Sequence, residues 1–332
     1  LPQCPPVSTS TVSCLRATCK LAVERTCVLY RYRRRYSRVS SASVTQRGMV
    51  GDRIRITVLM DSIYFGEGPR WKDGHLWLSD FYAHEVLKVD ERGNRTHVVT
   101  VPEQPSGLGW LPDGSMLIVS MKDRKLMRLS DGVLAEYADM SSIATWHCND
   151  MVVSASGRAY VGNFGYDHYN QPEEKKANLV RVDPDGSSHL ADSGLRFPNG
   201  SVITPDGQTL VVGETRGQCL TAWDIDADGG LSNRRVWAHL GKNSPDGICL
   251  DAEGAIWVAD PRLNETIRVK EGGTVTHRIS TGDLGSYACM LGSEDRLTLY
   301  ICTAPGSGPG AAEARNGRIE YCRVDVPGTG LP

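Results

Sequence analysis

Short apolar runs recur along the chain, and each is followed by a polar turn and a second apolar run. Segments such as "LPDGSMLIVS" and "TPDGQTLVVG" share this layout. The turns carry a glycine at Gly74, Gly114, Gly157, Gly207 and Gly254, and a sixth copy, "GSEDRLTLYICT", has Asp295 there. Successive copies lie 40, 43, 50, 47 and 41 residues apart. Because Asp-Gly and similar pairs between apolar runs favour β-hairpins, each copy predicts two paired strands.

Each repeat also contains two further strand-like pieces, such as "EVLKVD" and "THVVTV" in the first. No segment keeps a long 3.6-residue apolar period, so helices are expected to be minor. Six units of about four strands predict an all-β, six-bladed β-propeller over residues 51–332. A pair of β-sandwiches is the alternative, but sandwiches show no such repeat. The segments "RIRITVLM" and "GRIEYCRVDV" are expected to join and close the ring.

The repeats place one residue of each unit at the mouth of the axial channel. Counting back eight positions from the turn, or seven in the first unit, gives Glu67, Ser106, Asn149, Asn199, Asp246 and Tyr287. Carboxylate and carboxamide oxygens are the ligands of Ca²⁺ or a similar ion such as Mg²⁺ or Mn²⁺. The pattern therefore predicts a central divalent-metal site. Asn or Asp before Gly is also an ordinary turn former, but Asn199 and Asp246 precede the inner strand, and Glu67 has no turn role.

Charge is unevenly distributed along the 332 residues, whose net charge is −2. Residues 1–50 carry nine basic residues and one acidic residue, so the remainder has a net charge of −10. An acidic body argues against nucleic acid as a partner, because phosphate binding needs a basic face. The chain has no apolar run of membrane-spanning length and no apolar core of a secretory signal. Ten cysteines without a C-x-x-C pair favour a reduced, cytoplasmic protein without a zinc or redox motif.

Residues 1–50 have a different composition from the rest, with an Arg- and Ser-rich stretch, "LYRYRRRYSRVSSAS". We expect a disordered tail, or sequence foreign to the natural protein with Met49 or Met60 as its start. A mitochondrial targeting segment is the alternative interpretation, since such segments are rich in Arg and Ser and poor in acidic residues.

Four separated motifs resemble one protein family. "GEGPRW", "HCNDMVV", "PNGSVITPDG" and "PDGICLDAEGAIWVAD" are similar to the senescence marker protein (regucalcin), gluconolactonase and luciferin-regenerating enzyme family, especially its bacterial lactonase-type members. The likeness covers residues 60–325. It implies a propeller that holds one divalent ion and hydrolyses sugar lactones or related cyclic esters. It also implies that Glu67, Asn199 and Asp246 bind the metal, that Asn149 lies beside it, where it joins the metal-binding set and contacts substrate, and that Asp246 is the acid/base.

Two positions depart from the family pattern. His147 stands where regucalcin-type members have a substrate-binding Arg, and Asp167 stands where they have a Glu. Together with Asp150 and Asn163, these residues are expected to line the mouth and bind substrate hydroxyls. Each has a structural alternative: packing for His147, a strand cap for Asp150, a loop turn for Asn163 and a solvated carboxylate for Asp167.

The predicted reaction opens a small-molecule lactone by attack of water on a carbonyl that the cation polarises. Asp246 would accept the proton of the water and return it to the leaving hydroxyl. The long loop at 165–178 is expected to act as a lid. Ca²⁺ is the expected ion, with Zn²⁺, Mn²⁺ and Mg²⁺ as alternatives.

Two other functions stay open, and neither requires a membrane or nucleic acid. One is a non-enzymatic propeller that binds a protein partner and uses its ion for stability. The other is a paraoxonase-like esterase. No G-x-S-x-G nucleophile elbow is present, since "GSGPG" is only a flexible loop. No G-x-G-x-x-G opens a helix, so no dinucleotide cofactor is expected, and the sequence carries no signal for an oligomeric state.

Overall fold

Twenty-four strands form six antiparallel four-stranded sheets in residues 54–171 and 173–332, the part that a computed structural model of the chain describes. Five sheets follow chain order, and the sixth joins the first strand of the chain to the last three strands. Within these residues the only helical element is a 3₁₀ turn at Pro309–Ala312. The predicted all-β, six-bladed propeller is therefore confirmed.

Blades 1 to 3 consist of β2 to β13, with the innermost strand first in each blade. Their bounds are β2 Gly66–Lys72, β3 His75–Asp80, β4 Glu85–Val89, β5 Arg95–Thr100, β6 Pro105–Trp110, β7 Met116–Ser120, β8 Lys125–Ser130, β9 Val133–Asp139, β10 Cys148–Val153, β11 Ala159–Asn163, β12 Ala177–Val182 and β13 Ser188–Leu195. Innermost strands β6 and β10 are buried along almost their whole length, as expected for strands packed between two neighbouring blades.

Blades 4 to 6 use the remaining strands. Their bounds are β14 Pro198–Ile203, β15 Thr209–Glu214, β16 Cys219–Ile225, β17 Leu231–His239, β18 Ile248–Leu250, β19 Ile256–Asp260, β20 Glu265–Val269, β21 Val275–Ser280, β22 Gly285–Gly292, β23 Thr298–Ala304, β24 Gly317–Arg323 and, as the outer strand of blade 6, β1 Thr57–Ile63. The six cysteines of the described residues are all buried and unbridged. They are therefore small apolar core residues.

The inner hairpins explain the spacing of the repeat. All five predicted turn glycines have positive φ, from 72° to 87°. In blade 1, Asp73 also has positive φ (51°), so Asp73 and Gly74 form a two-residue type I′ turn, and this unit is one residue shorter. In blade 6 the left-handed position belongs to Arg296 (φ 59°). The sequence alignment, which put Asp295 there, was wrong by one residue because no glycine marks this turn.

The ring closes as predicted, through pairing of the first and last strands. β1 pairs with β24 from Thr57↔Tyr321 to Ile63↔Gly317. Blade 6 then packs on blade 1, where the rings of Trp71 and Tyr300 stack at 5.6 Å.

The segment after β24 crosses the hairpin ends of blades 6, 5 and 4. Gly328 donates its amide to the carbonyl of Arg296, and Thr329 donates to that of Leu250. Ile203 and Leu331 then exchange two backbone hydrogen bonds of 2.9 and 3.1 Å. We call residues 325–332 the C-terminal strap. It lies at the end of the inner strands opposite to the ring residues.

The described residues contain no helix that is long and apolar enough to cross a membrane. The predicted tail at residues 1–50, with its four cysteines, lies outside the described residues and stays a prediction.

Candidate active site

Bulges in the innermost strands turn the ring residues toward the channel. The register with the second strand shifts between Glu67 and Arg70, Pro105 and Leu108, Cys148 and Met151, Pro198 and Ser201, and Ser286 and Ala288. In blade 5, β18 begins only after Asp246 and Gly247. A bulge breaks the alternation of a strand and re-aims a side chain. Five blades use this device at the same place, which is why a repeat count could find the position.

Close backbone contact brings blades 4 and 5 together at this level. Gly200 donates its amide to the carbonyl of Asp246 at 3.1 Å. A Cβ at Gly200 would lie only 2.5 Å from the amide nitrogen of Ile248, so no larger residue fits without movement. The approach places the side-chain amide of Asn199 at 2.6 Å from Oδ1 of Asp246.

Five of the six ring residues line one cavity of about 520 Å³: Glu67, Asn149, Asn199, Asp246 and Tyr287. All five are at least nine-tenths buried. The sixth, Ser106, is fully buried beside the cavity, and its hydroxyl lies 3.5 Å from Oδ1 of Asn149. The structure thus brings together the four predicted metal ligands, including the predicted acid/base.

Burial of two carboxylates at one site is electrostatically costly. Burial raises the pKa of Glu67 well above its usual value, and the charges of Asp246 and Asp150 raise it further. Burial also raises the pKa of Asp246, although the hydrogen bond from Asn199 opposes this effect. A cation between the two carboxylates would remove the repulsion and restore their ionised forms.

The buried carboxamide oxygen of Asn199 fits a cation as well, because this Oδ1 has no hydrogen-bond partner. Buried polar atoms are nearly always satisfied, and an unpaired oxygen beside two carboxylates suits a cation. Nδ2 of Asn149 is also unpaired, but as a donor it suits an oxygen atom instead. The described residues contain no group of three or more His, Cys, Asp or Glu side chains that could by themselves hold a metal ion. The carboxamide oxygens would therefore have to complete the coordination, which suits a hard cation.

Asp150 and Asn163 do not lie at the mouth, where the sequence placed them. Asp150 forms a buried ion pair with Arg70, with Nη2 and Oδ1 at 2.6 Å. Asn163 is fully buried, and its Oδ1 accepts hydrogen bonds from the Thr145 hydroxyl (2.9 Å) and the Gly165 amide (3.0 Å). Neither residue lines the cavity. Their polar atoms are used to hold blades and loops together.

His147 and Asp167 do line the cavity. The imidazole of His147 stacks on the indole of Trp146 at 4.8 Å and 17°. Burial lowers the pKa of His147, and the charge of Lys122 adds to the effect. Asp167 accepts hydrogen bonds from the side chain and the backbone of Asn170, and these lower its pKa. His147 is thus a neutral stacking surface, and Asp167 is an ionised group of the loop.

Sequence reasoning placed Tyr287 at the channel but missed the rest of the aromatic wall of the cavity. Its members are Phe65, Phe81, Tyr82, Trp146, Phe164, Tyr169, Phe197 and Tyr287. Phe164 and Phe197 stack at 4.7 Å and 15°, and His168 packs edge-on against both. Burial lowers the pKa of His168 to about 4, so its ring is neutral at pH 7. The available signal was positional, because several of these aromatics flank strand ends, where polar residues are usual.

The loop between β11 and β12 bridges the mouth of the cavity. The Tyr169 hydroxyl donates to the carbonyl of Ser307 at 2.8 Å, and the Tyr82 hydroxyl donates to the same carbonyl at 2.7 Å. Blades 3 and 6 are opposite in a six-membered ring, so the Tyr169 contact spans the opening. On its other side the loop is fixed by a bidentate ion pair between Glu174 and Arg196. The arrangement has the form expected of a lid.

Comparison with known proteins agrees with this geometry. The family model described as "SMP-30/Gluconolactonase/LRE-like region" matches residues 65–305. The 6-deoxy-6-sulfogluconolactonase of Pseudomonas putida is 25% identical, over 80% of this chain and 94% of the relative. Pentonolactonase XacC of Haloferax volcanii is also 25% identical, over 83% and 96%. The crystal structure of regucalcin, a calcium-binding protein from Agrobacterium tumefaciens, has a TM-score of 0.71 at 23% identity, over 84% and 97%. The chain described here belongs to the SMP-30/gluconolactonase/LRE-like family.

Proposed function

We propose that this protein is a lactonase, a hydrolase that opens a cyclic ester at a divalent cation held by Glu67, Asn149, Asn199 and Asp246. One observation carries the proposal: two buried carboxylates and an unpaired carboxamide oxygen meet in the cavity. The relatives named as lactonases share this chain's family and most of its length, which supports the reaction class. The oxygen-only ligand set and the calcium-binding relative support Ca²⁺, with Zn²⁺, Mn²⁺ or Mg²⁺ as substitutes.

The side chains divide the work of hydrolysis. A bound cation would polarise the ester carbonyl and lower the pKa of a water molecule. Asp246 accepts the proton from the attacking water and returns it to the ring oxygen as the C–O bond breaks. Asn199 donates to Oδ1 of Asp246 at 2.6 Å and so fixes the orientation of this carboxylate. The free Nδ2 of Asn149 can donate to a substrate oxygen, and the lid and the aromatic wall keep bulk water out.

Activity and cation binding should be measured on the same preparations. Acid release from a panel of aldonolactones is expected to stop in excess chelator and to return with Ca²⁺. Ca²⁺ should also raise the melting temperature of the chelator-treated protein, because it binds only the folded state. Glu67→Gln and Asp246→Asn should lose both effects. Asp295→Asn is the matched control, since this carboxylate is exposed and pairs with Arg323 near the hairpin between β22 and β23 of blade 6.

The two open alternatives give different results. A rise in melting temperature with no turnover of any lactone or ester would contradict the proposal and favour a binding propeller with a structural ion. Turnover of aryl esters without turnover of lactones would favour the paraoxonase-like esterase. Hydrolysis that survives both substitutions would remove the assigned residues from the reaction.

A further inference from the structure

The cavity is larger and less polar than a small polyhydroxylated ring needs. Its volume of about 520 Å³ lies in the range of cavities that hold drug-sized organic molecules. Eight of its lining residues are Phe, Tyr or Trp, and Met121 adds to the apolar surface. The cavity therefore gives a ligand far more apolar contact than hydrogen bonding.

Most polar groups near the wall already bond to other groups of the protein. The hydroxyls of Tyr82 and Tyr169 both donate to the Ser307 carbonyl. Asp150 and Asn163, which the sequence assigned to hydroxyl binding, are turned away and paired elsewhere. A sugar lactone would leave several hydroxyls without partners, and each desolvated, unpaired hydroxyl costs about 1–3 kcal/mol. The other polar side chains of the lining are Gln104, Lys122, Ser307, the imidazoles of His84, His147 and His168, and the pair Asp167 and Asn170, which are hydrogen-bonded to each other.

Two flat surfaces face the cavity. One is formed by Trp146 and His147, stacked at 17°, and the other by Phe164 and Phe197, stacked at 15°. Planar walls of this kind suit an aromatic or alkyl group, which gains free energy from the apolar area that it removes from water.

We propose that the substrate is a lactone or ester with an apolar, preferably aromatic, body that lies against Trp146, Phe164 and Phe197 while its ester group lies at Glu67 and Asp246. The inference rests on the proposed lactonase function and names its substrate class. In the reaction, the oxygen of water bonds to the carbonyl carbon and the ring C–O bond breaks. The proton lost by water ends on the released alkoxide, so no further reactant is needed.

A matched pair of six-membered lactones tests this assignment with Ca²⁺ present. We expect kcat/KM to be about tenfold higher or more for a δ-valerolactone that carries a phenyl group than for glucono-δ-lactone. Trp146→Gln should lower kcat/KM about tenfold for the phenyl lactone and by a smaller factor for gluconolactone, so that the preference for the phenyl lactone decreases. Trp110→Gln is the control, because this half-buried Trp packs edge-to-face on Trp77 outside the cavity. Equal values for the two lactones, or a preference for gluconolactone, would overturn the inference while lactonase activity stands.

A binding measurement separates this inference from the proposed function. The phenyl-substituted tetrahydropyran has the same ring and body but no carbonyl, so it cannot be hydrolysed. Ligand-observed NMR should detect its binding to wild type and to Trp110→Gln, and weaker binding to Trp146→Gln. Binding in this pattern without hydrolysis of any lactone would refute the lactonase and support the apolar site. Lactone hydrolysis without any binding of this probe would support the lactonase and refute the apolar site.

Discussion

Asp150→Ala is expected to destabilise the propeller and leave substrate binding largely unchanged, because Asp150 belongs to an ion pair behind the site. Its Oδ1 lies 2.6 Å from Nη2 of Arg70, and the two side chains are only 4% and 3% exposed. Arg70 also donates to the carbonyls of Leu108 (2.9 Å) and Met151 (2.6 Å). One guanidinium thus ties β2 to β6 and β10. Removing the carboxylate leaves this charge buried and uncompensated, which costs about 3–5 kcal/mol.

Unfolding by guanidinium chloride in Ca²⁺-containing buffer measures the loss of stability in Asp150→Ala. Arg70→Met combined with Asp150→Leu should recover much of it, because an apolar pair avoids the desolvation cost. Asp113→Ala is the control: Asp113 pairs with Arg128 on the surface, with side chains 53% and 37% exposed, and should cost at most about 1 kcal/mol. If the free energy of unfolding of Asp150→Ala lies within about 1 kcal/mol of the wild-type value and its KM is raised instead, the ion-pair reasoning fails. Asp150 would then return to the substrate-binding role that the sequence suggested.

Three other predictions concern the site and its lid. In chelator, stability should fall as the pH rises above about 4, the usual pKa of a carboxyl group, because the raised pKa values of Glu67 and Asp246 let the folded state hold more protons than the unfolded state. Saturating Ca²⁺ should flatten the plot of melting temperature against pH. A melting temperature that rises with pH in the presence of chelator would contradict the pKa directions. Gly200→Ala should lower the free energy of unfolding by about 1–3 kcal/mol, measured with denaturant, and should weaken Ca²⁺ binding measured by calorimetry. Gly306→Ala is the control and should change neither quantity, because a Cβ there meets nothing within 4 Å. Tyr169→Phe removes one lid hydrogen bond, about 0.5–1.5 kcal/mol, so stopped-flow measurements should show faster ligand release, and unchanged release would argue against a lid.

The blades could be predicted from the sequence because their signals are local. A hairpin turn needs a residue that tolerates positive φ, and glycine marks that position in five of the six copies. The count from turn to channel succeeded because the inner strands have similar lengths and bulges at similar places. In blade 6 the count was off by one at Arg296, yet Tyr287 still lines the cavity.

The orientation of neighbouring polar residues could not be predicted. Asn149 and Asp150 are consecutive, and a bulge between Cys148 and Met151 decides which of them faces the cavity. The partner of Asp150 is Arg70, 80 residues earlier, and no pattern in the sequence connects the two.

The aromatic wall of the cavity could not be predicted from the sequence for a related reason. Its aromatic residues come from strand ends and loops of several blades, and only the closed ring places them side by side. The reach of Tyr169 to Ser307, across 138 residues of sequence, likewise depends on blades 3 and 6 facing each other.

The shared sheet of blade 6 has a consequence for how the protein acquires its shape during synthesis. Its outer strand, Thr57–Ile63, is made before blade 1, whereas the strand it pairs with, Gly317–Arg323, follows every other strand of the ring. The edge of Thr57–Ile63 stays unpaired while more than 250 residues are translated. Contacts between such distant segments form slowly, and exposed edges attract other chains. We therefore expect the ring to close only after Gly317–Arg323 has been translated, with this interval as the period of greatest risk of aggregation.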